Sequence, residues 1–363
     1  MHGTIKNIIG DNGLIEYCKN LERYKNDLVM DTQDIKMISD TEMEIPRDKD
    51  RNNIGIFKMS DHASSQISQR LNIPKKYFDG LPNRIPGLRQ TIVNEHLNKE
   101  PEKRLLRLEE KPDQFSLRAF LSDRYRRFDN LHALEAMLPS LHEMHNNGVK
   151  FTIKSANVSD RRMYLQIMFD HLETEVEVGD PVCYGVTVTN SEVGAGAWNI
   201  SEMVWRLVCS NGMISGSLNR RHHIGSRLDV GESGISEYVT DETVEADLKA
   251  QQLTIRDIFK GAISTTSNLE NLIKPLKEAA GIKIEKPKAT IEKLSQRFSF
   301  SEETTDKFME NFFTEGNMTK WGVINGITAL SHNSKDADEQ YGFEQSGWEV
   351  ANMTDTDWST IVN

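Results

Sequence analysis

Two short groups of arginine are the residues of this chain whose type and spacing most suggest a binding chemistry. The stretch RAFLSDRYRR carries four arginines against one aspartate, and NRRHHIGSR carries three arginines, two histidines and no acid. Further cations flank a predicted hairpin and an apolar-periodic segment. The candidate phosphate-binding residues are Arg124, Arg126, Arg127, Lys154, Arg161, Arg162, Arg206, Arg220, Arg221 and Arg227.

Two tyrosines, Tyr125 and Tyr164, are interleaved with these cations. A basic groove with aromatic side chains on which bases stack can hold single-stranded nucleic acid without reading its sequence. We therefore predict a site in which the arginines contact phosphates and the two tyrosines stack on bases. The alternative is that the arginines pair with the many acidic residues of the chain on a solvated surface.

A glycine-rich stretch, EVGAGAWN, follows a predicted strand and has the outline of a phosphate-binding turn. A dinucleotide fingerprint requires a third glycine where Asn199 stands, and the Gly-Lys-Ser/Thr sequence of a P-loop is absent. We interpret Gly194 and Gly196 as residues that permit a tight reversal, because positive φ costs little only for glycine. We therefore predict a plain turn and no bound nucleotide.

Other catalytic and metal-binding patterns are missing from the sequence. It contains no H-E-x-x-H, C-x-x-C or EF-hand loop, and its three cysteines fit no zinc or disulfide spacing. His142 and His145 lie three residues apart on a predicted helix, but two histidines without a third ligand do not make a metal site. We expect a non-enzymatic protein without metal or cofactor, and an enzyme with an unrecognised site is the alternative.

The elements that would position these residues follow from the apolar periodicity. Alternation typical of half-buried strands occurs at residues 115–121, 149–153, 163–169 and 182–188. A helical stripe runs from Leu131 to Met144. An apolar face at 200–208, with Asn199 as cap and Glu202 three residues on, predicts a closing helix.

The sequence therefore predicts an α+β fold. Its order is strand, helix, three-stranded meander and helix, with a central antiparallel sheet backed by helices and further helical segments on both sides. The predicted parts are a polar N-terminal segment (1–55), a small helical segment (56–112), an α+β core (113–230), a helical C-terminal region (231–335) and an acidic tail (336–363). Ile67–Leu71 and Leu294–Phe298 resemble each other, and each precedes another predicted helix in the outline of a helix-turn-helix; an ordinary helical corner is the alternative.

The tail is rich in acids and poor in aliphatic residues, so we predict that it is mobile. Asp355, Asp357 and Trp358 are its candidate partner-docking residues. A tethered anion could also compete with nucleic acid for the basic groove of the same chain.

The length and the net charge of the chain limit the classes of protein to which it can belong. The chain has 363 residues and a formal net charge of −11, so any basic site must be local. There is no signal-peptide pattern and no apolar run of the length that a membrane span needs. With unpaired cysteines, this pattern predicts a cytoplasmic protein.

Several stretches together resemble DUF932, a family of phage- and plasmid-borne proteins. The matching stretches are HASSQISQRLNIPKKYF, RAFLSDRYRRFDN, NSEVGAGAWNISEMVWRLVCSNGM, RRHHIG and WGVINGITALSH. They occur in order over about residues 55 to 335, with Gly326 where alanine is expected. The resemblance implies a mobile-element origin and a bacterial cytoplasmic location, and it supplies no biochemical activity.

The predicted order of elements is also similar to the core of the Rad52-type single-strand annealing proteins, which form rings and hold DNA in an outer basic groove. The annealing proteins carry several cations on the closing helix, where this chain offers only Arg206. We therefore expect a homo-oligomer that binds and anneals single-stranded DNA, with host or phage replication and recombination proteins as further partners. The alternative is a protein-binding module or inhibitor that acts on host machinery through an acidic surface.

Overall fold

The chain folds around two β-sheets, each with helices packed on it. The computed structural model describes residues 11–48, 53–125, 127–208, 211–221 and 266–363, together with scattered positions between 246 and 261. Helices and strands are mixed throughout, which confirms the predicted α+β class. No helix among the described residues is long and apolar enough to cross a membrane.

The first sheet is formed by the N-terminal third of the chain. Its elements are α1 (Asp11–Glu22), β1 (Lys25–Asp31), β2 (Lys36–Met37), β3 (Glu42–Pro46), β4 (Ile54–Met59), α2 (Asp61–Arg70), α3 (Lys75–Arg84), α4 (Leu88–Lys99), β5 (Lys103–Glu110) and β6 (Phe115–Ser122). The strand order is β1-β5-β6-β4-β3-β2, antiparallel except for the parallel pair β4–β6. Side chains of the sheet and of α2, α3 and α4 form one buried cluster that includes Phe57, Ile67 and Phe78.

This sheet was not expected from the sequence, which predicts a polar segment followed by a small helical one. The strands are short, and β2 has only two residues. In β4, apolar residues occupy both faces, because Ile54 and Ile56 are exposed while Phe57 and Met59 are buried. The alternation of polar and apolar residues that identifies a half-buried strand is therefore missing here.

The second sheet is an antiparallel meander that follows helix α5 (Asn130–Asn146). Its strands are β7 (Phe151–Val158), β8 (Met163–Glu177), β9 (Asp180–Asn190), β10 (Trp198–Arg206) and β11 (Asn211–Arg221), paired in that order. The helix after Asp129 and the three-stranded meander are confirmed. The predicted strand at 115–121 is present as β6, but it lies in the first sheet, where it pairs with β4 and β5, and not in the sheet of the meander as predicted. Residues 191–197 form the turn between β9 and β10, called the β9–β10 turn below.

The predicted closing helix is wrong, because its apolar face belongs to strand β10. Asn199 does not cap a helix but pairs with Thr189 on β9 and with Arg220 on β11. Both faces of β10 are largely buried, so apolar residues occur at almost every position and also match a helical spacing. Pairing on both sides satisfies the backbone of this segment, and that tertiary context outweighs the local capping pattern.

The remaining helices share one core with the second sheet. They are α6 (Thr266–Ala280), α7 (Pro287–Arg297), α8 (Glu302–Glu315), α9 (Lys320–Thr328), α10 (Ala337–Ala351) and α11 (Asp355–Val362). The two similar corners do share a geometry: Asn72 after α2 and Ser299 after α7 each have positive φ, 53° and 56°. The segment from 222 to 245 lies outside the described residues.

The prediction of a mobile C-terminal tail is wrong, since residues 337–362 form α10 and α11. Asp336 caps α10 by accepting a hydrogen bond from the Glu339 backbone N–H at 2.9 Å. Phe343, Val350 and Trp358 belong to the core of the second sheet. The apolar residues of the tail are few, but α10 and α11 each direct them to one side, which composition alone cannot reveal.

Candidate nucleic-acid interface

The β9–β10 turn lies where three other segments meet. The Ser191 carbonyl accepts a hydrogen bond from the Tyr125 hydroxyl at 3.0 Å, and Ser191 Oγ donates to the Arg161 carbonyl at 2.7 Å. The Val193 carbonyl accepts from the Gln66 side chain of α2 at 2.7 Å. The turn therefore joins the corner after β6, the β7–β8 hairpin and α2.

The register of the second sheet brings a fourth segment to the same end. One row of paired residues crosses four strands and consists of Tyr164, Thr189, Asn199 and Arg220. Arg221 occupies the adjacent row, opposite Trp198. With strands about 4.8 Å apart, three strand steps place the backbones of Arg220 and Tyr164 roughly 14 Å apart. The C-terminal end of β11 thus lies at the same end of the sheet as the β9–β10 turn.

We call the arginine positions around this turn the basic rim, which consists of Arg124, Arg127, Arg161, Arg220 and Arg221. Arg124 is exposed. The Arg127 side chain is 57% exposed and lies 3.8 Å from Asp27, while Arg161, 46% exposed, pairs with the exposed Asp61 at 2.9 Å. Arg126 and Arg227 fall outside the described residues, as do the side chains of Arg220 and Arg221.

Two of the predicted phosphate-binding residues lie away from the rim. Arg206 is buried and forms ion pairs with Asp180 at 2.7 Å and Glu315 at 2.8 Å, so the prediction that it contacts phosphates is wrong. The Lys154 ammonium lies 5.6 Å from the centre of the Trp205 ring, near the end of β10 that is remote from the turn. The acids that pair with Arg206 are distant in sequence, which is why no local pattern predicts its burial.

Arg162 and Tyr164 are covered by α10. Arg162 pairs with Asp338 at 2.9 Å, and the Tyr164 hydroxyl also donates to Asp338. The Tyr164 ring is only 4% exposed and packs against Tyr341, with ring centres 5.2 Å apart. The prediction that Tyr164 stacks on bases is therefore wrong, because a helix from the predicted tail occupies its ring.

Tyr125 lies at the rim but is half-buried. Its ring packs against a small apolar cluster that includes Leu121 and Val193. Burial raises the pKa of its hydroxyl, and the hydroxyl is held by Ser191. Tyr125 therefore fixes the β9–β10 turn relative to the corner after β6.

The prediction that the turn needs glycine for its conformation is confirmed for Gly194 and wrong for Gly196. Gly194 has a φ of +75°, whereas Gly196 has no positive φ. Ser191 Oγ accepts hydrogen bonds from the backbone N–H groups of Val193 at 3.3 Å and Ala195 at 2.9 Å. These N–H groups, which a phosphate-binding turn would aim at an anion, are thus used within the turn.

A buried cluster of charges lies beneath the turn and was not predicted. Arg107, fully buried, donates to both carboxylate oxygens of Asp129 at 2.7 Å and pairs with Asp27 at 2.9 Å. Lys25 bridges Asp129 and Glu192, each at 2.9 Å. Burial alone would raise the pKa of Asp129, but Arg107 and Lys25 hold that pKa below its usual range.

The pKa values of Asp129 and Glu192 are both lowered, so these two carboxylates are ionised and paired, which favours a structural role over proton transfer. The Glu192 carboxylate also accepts from Arg118 at 2.7 Å and from the Asn130 backbone N–H at 2.9 Å. The cluster ties β1 and β5 of the first sheet to α5 and to the β9–β10 turn. Its members are spread from Lys25 to Glu192, so sequence spacing gives no signal for it.

Glu344 on α10 is another buried acid, and no ion pair to it is found among the described residues. Its exposed fraction is 1%, and its carboxyl oxygens lie 2.6 Å from the Gln166 side-chain amide and 3.0 Å from that of Gln340. Burial raises the pKa of Glu344 to about 8. Gln166 Nε2 and Gln340 Nε2 both donate to this carboxyl, and neither amide supplies a positive charge.

The predicted partner-docking residues divide into a buried one and two exposed ones. Trp358 is 7% exposed, and the Lys320 ammonium lies 4.9 Å from the centre of its ring, so the prediction that Trp358 docks a partner is wrong. Asp355 and Asp357 are exposed in the first turn of α11, where acids favour the helix dipole. Their local role is to stabilise the start of α11.

Neither a metal centre nor a catalytic arrangement is indicated by the part of the chain that the structure describes. His142 and His145 are both exposed on α5. No group of three or more histidines, cysteines or acids among the described residues is placed to hold a metal ion. Cys18 and Cys183 are buried, and burial raises the pKa of each thiol to about 12, which disfavours the reactive thiolate.

Comparison with known proteins assigns a family but no activity. A family model described as "Domain of unknown function (DUF932)" matches residues 119–357, which is more than half of the chain. No curated protein and no solved structure matches the chain. The matched range begins in β6 and includes the β9–β10 turn, the second sheet and α10, and on this match the chain belongs to the DUF932 family.

Proposed function

We propose that the chain binds single-stranded DNA at the basic rim and catalyses no reaction. The observation that carries the proposal is the convergence of arginines from three separate segments around one turn. Arg124 and Arg127 come from the corner after β6, Arg161 from the β7–β8 hairpin, and Arg220 and Arg221 from the end of β11. A curved row of cations can follow a phosphate backbone without reading bases.

Arg161 and Arg127 can take a phosphate as a partner. Arg161 pairs with Asp61 and both side chains are solvent-exposed; such a pair contributes at most about 1 kcal/mol, so a phosphate can replace the Asp61 carboxylate at little cost. Arg127 is 57% exposed and lies 3.8 Å from Asp27, a buried acid that Arg107 also holds. Arginine also suits phosphate because its guanidinium donates two parallel hydrogen bonds.

Strand annealing by a homo-oligomer of phage or plasmid origin is the finer part of the proposal. It rests on the similarity of the order strand, helix and meander to the Rad52-type proteins, together with the mobile-element origin that the family resemblance implies. Strand β10 stands where that similarity requires a closing helix. DNA binding at the rim does not depend on this part.

The test is the salt dependence of binding to a fluorescein-labelled single-stranded oligonucleotide, measured by anisotropy. Three variants each remove the arginines that one segment contributes to the basic rim. They are Arg124→Ala with Arg127→Ala, Arg161→Ala, and Arg220→Ala with Arg221→Ala. Each lost phosphate contact should weaken binding and reduce the slope of log K against log salt by about 0.7.

Arg297→Ala is the matched control, because Arg297 is also exposed and paired with an acid, Glu349 at 3.3 Å, but lies on α7. It should bind as the wild type does. If the wild-type protein does not bind, or if the three rim variants keep its affinity and slope, the proposal fails.

A further inference from the structure

A pocket of about 380 Å³, open to solvent, lies between β10, α6 and the end of α10. It is separate from the basic rim. Its lining residues are Glu202, Asn271, Leu272, Lys274, Pro275, Glu278, Trp348 and Asn352. This volume suits a small organic group and is at the lower end of the range for ligand pockets.

One of the side chains that line the pocket is that of Glu202 on β10. Its neighbours across the sheet are apolar. Across the sheet it pairs with Val186, which in turn pairs with Ile167, and both are fully buried. The Tyr184 hydroxyl donates to the Glu202 carboxyl at 3.2 Å, and no cation among the described residues pairs with it. A half-buried acid with such neighbours costs stability, and burial raises the pKa of Glu202.

The other walls offer chemistry that suits a cation. Trp348 presents an indole, and a ring face attracts an ammonium or guanidinium group. Glu278 supplies a second carboxylate, and the amide oxygens of Asn271 and Asn352 are further acceptors. Lys274 is the one cation in the lining, so two carboxylates outweigh it when both are ionised.

We propose that this pocket binds an organic cation of the guanidinium or primary ammonium class, with Glu202 as its anionic partner and Trp348 as its aromatic wall. The cation would restore the charge balance that the Glu202 carboxylate lacks within the chain. A hydrogen bond between a carboxylate and a cation is about twice as strong as one between neutral groups, so Glu202 should contribute most of the binding free energy. This proposal stands independently of DNA binding.

Calorimetric titration of the full chain with arginine amide, acetylated at its α-amino group, tests the proposal. Citrulline amide, acetylated in the same way, is the matched probe, since it has nearly the same shape and no charge. Arginine amide should bind and citrulline amide should bind at least tenfold more weakly. Glu202→Gln, which keeps the shape of the side chain, should weaken arginine amide at least tenfold, and Trp348→Leu should weaken it as well.

The matched control is Glu349→Gln, which removes an exposed charge next to Trp348 without touching the pocket lining. Melting curves establish that each variant is folded. A short arginine-containing peptide separates two sources of the cation: binding of the peptide alone indicates a protein side chain, and binding of the free amide indicates a small molecule. Equal affinity for citrulline amide, no binding of either arginine probe, or an unchanged affinity in Glu202→Gln would overturn the proposal.

Discussion

Arg162 and Asp338 form an ion pair with 2.9 Å between Nη1 and Oδ1, although 176 residues separate them in sequence. The pair fixes α10 to the hairpin that precedes β8. Arg162 also donates to the Ala195 carbonyl of the β9–β10 turn at 3.1 Å. One arginine therefore connects the turn at the centre of the basic rim with an acidic helix near the C-terminus.

Replacing Asp338 by Asn should release Arg162 and remove a negative charge beside the rim. Since the pair is partly exposed, the loss of stability should stay near or below about 1 kcal/mol. If the rim binds DNA, the affinity of Asp338→Asn for single strands should rise at low salt and the gain should fade as salt increases.

Asp357→Asn is the control for this variant, because it removes the same charge from an exposed position on α11. Anisotropy titrations at several salt concentrations compare the two. A similar gain in both variants would indicate a general effect of net charge and would contradict the specific role of Asp338.

Glu344 should make the stability of the protein depend on pH. Burial raises the pKa of Glu344 in the folded chain to about 8, from an ordinary value of 4.5. The folded state therefore holds a proton that the unfolded state releases, and stability should fall as the pH rises from about 4.5 to 8. The limiting slope for one such group is about 1.4 kcal/mol per pH unit.

Glu344→Gln keeps the shape of the neutral acid and should abolish this slope, so that the variant gains on the wild type as the pH rises. Urea unfolding at pH 5, 6.5 and 8 measures the difference. Glu349→Gln, at an exposed position of the same helix, should leave the pH dependence unchanged. Parallel stability profiles of wild type and Glu344→Gln would show that Glu344 is ionised in the folded protein.

Sequence reasoning located the meander and the arginines but missed what covers them. Strands β7, β8 and β9 were predictable because their apolar residues alternate with residues of other types, as Met163, Leu165 and Ile167 do in β8. The burial of Tyr164 and Arg206 was not, since it depends on Asp338, Asp180 and Glu315. Such contacts leave no local pattern in a single sequence.

Wrong predictions also arise where a segment is buried on both faces. Strand β10 has buried residues on each side, and its apolar positions fit a helical period as well as an extended one. Helix α10 shows the opposite problem, because its acids suggest a solvated tail while Phe343 and Val350 reach the core. In both cases the deciding factor is the neighbouring element.

Gly194→Ala should destabilise the β9–β10 turn more than Gly196→Ala does. At Gly194 an added Cβ would combine an unfavourable φ of +75° with a contact of 2.7 Å to Leu121. Alanine there should cost roughly 1 kcal/mol or more. At Gly196 φ is not positive, and the added Cβ would lie 2.8 Å from Arg162 Nε, so alanine there displaces a side chain and does not strain the backbone.

Thermal melts of the two variants measure this difference. We also expect neither the wild type nor either variant to bind ATP or NAD in a saturable manner, because the N–H groups of Val193 and Ala195 are bonded to Ser191. Micromolar nucleotide binding that Gly194→Ala abolishes would contradict the interpretation of the turn. Equal stability of the two variants would contradict the role of positive φ.

Deletion of the residues after Lys335 should unfold the second sheet and its helices. The deletion removes α10 and α11, and with them the buried side chains of Phe343, Val350, Trp358 and Ile361. It also removes Glu344, the hydrogen-bond partner of the buried Gln166 side chain on β8. A domain whose net stability is about 5–15 kcal/mol does not survive the loss of so large a part of its core.

A milder variant separates this packing role from a general effect of truncation. Trp358→Ala keeps the backbone of α11 and should cost about 3–5 kcal/mol, because it opens a cavity beneath a nearly buried ring. Asp355→Asn is the control, since it changes an exposed residue of the same helix and should shift stability by about 0.5 kcal/mol or less. Urea unfolding, followed by circular dichroism, measures the stability of the truncated chain, of Trp358→Ala and of Asp355→Asn. A truncated chain that melts cooperatively at the wild-type temperature would show that α10 and α11 do not contribute to the core. The increase in DNA affinity expected from removing Asp338 should then be measurable on that truncated chain.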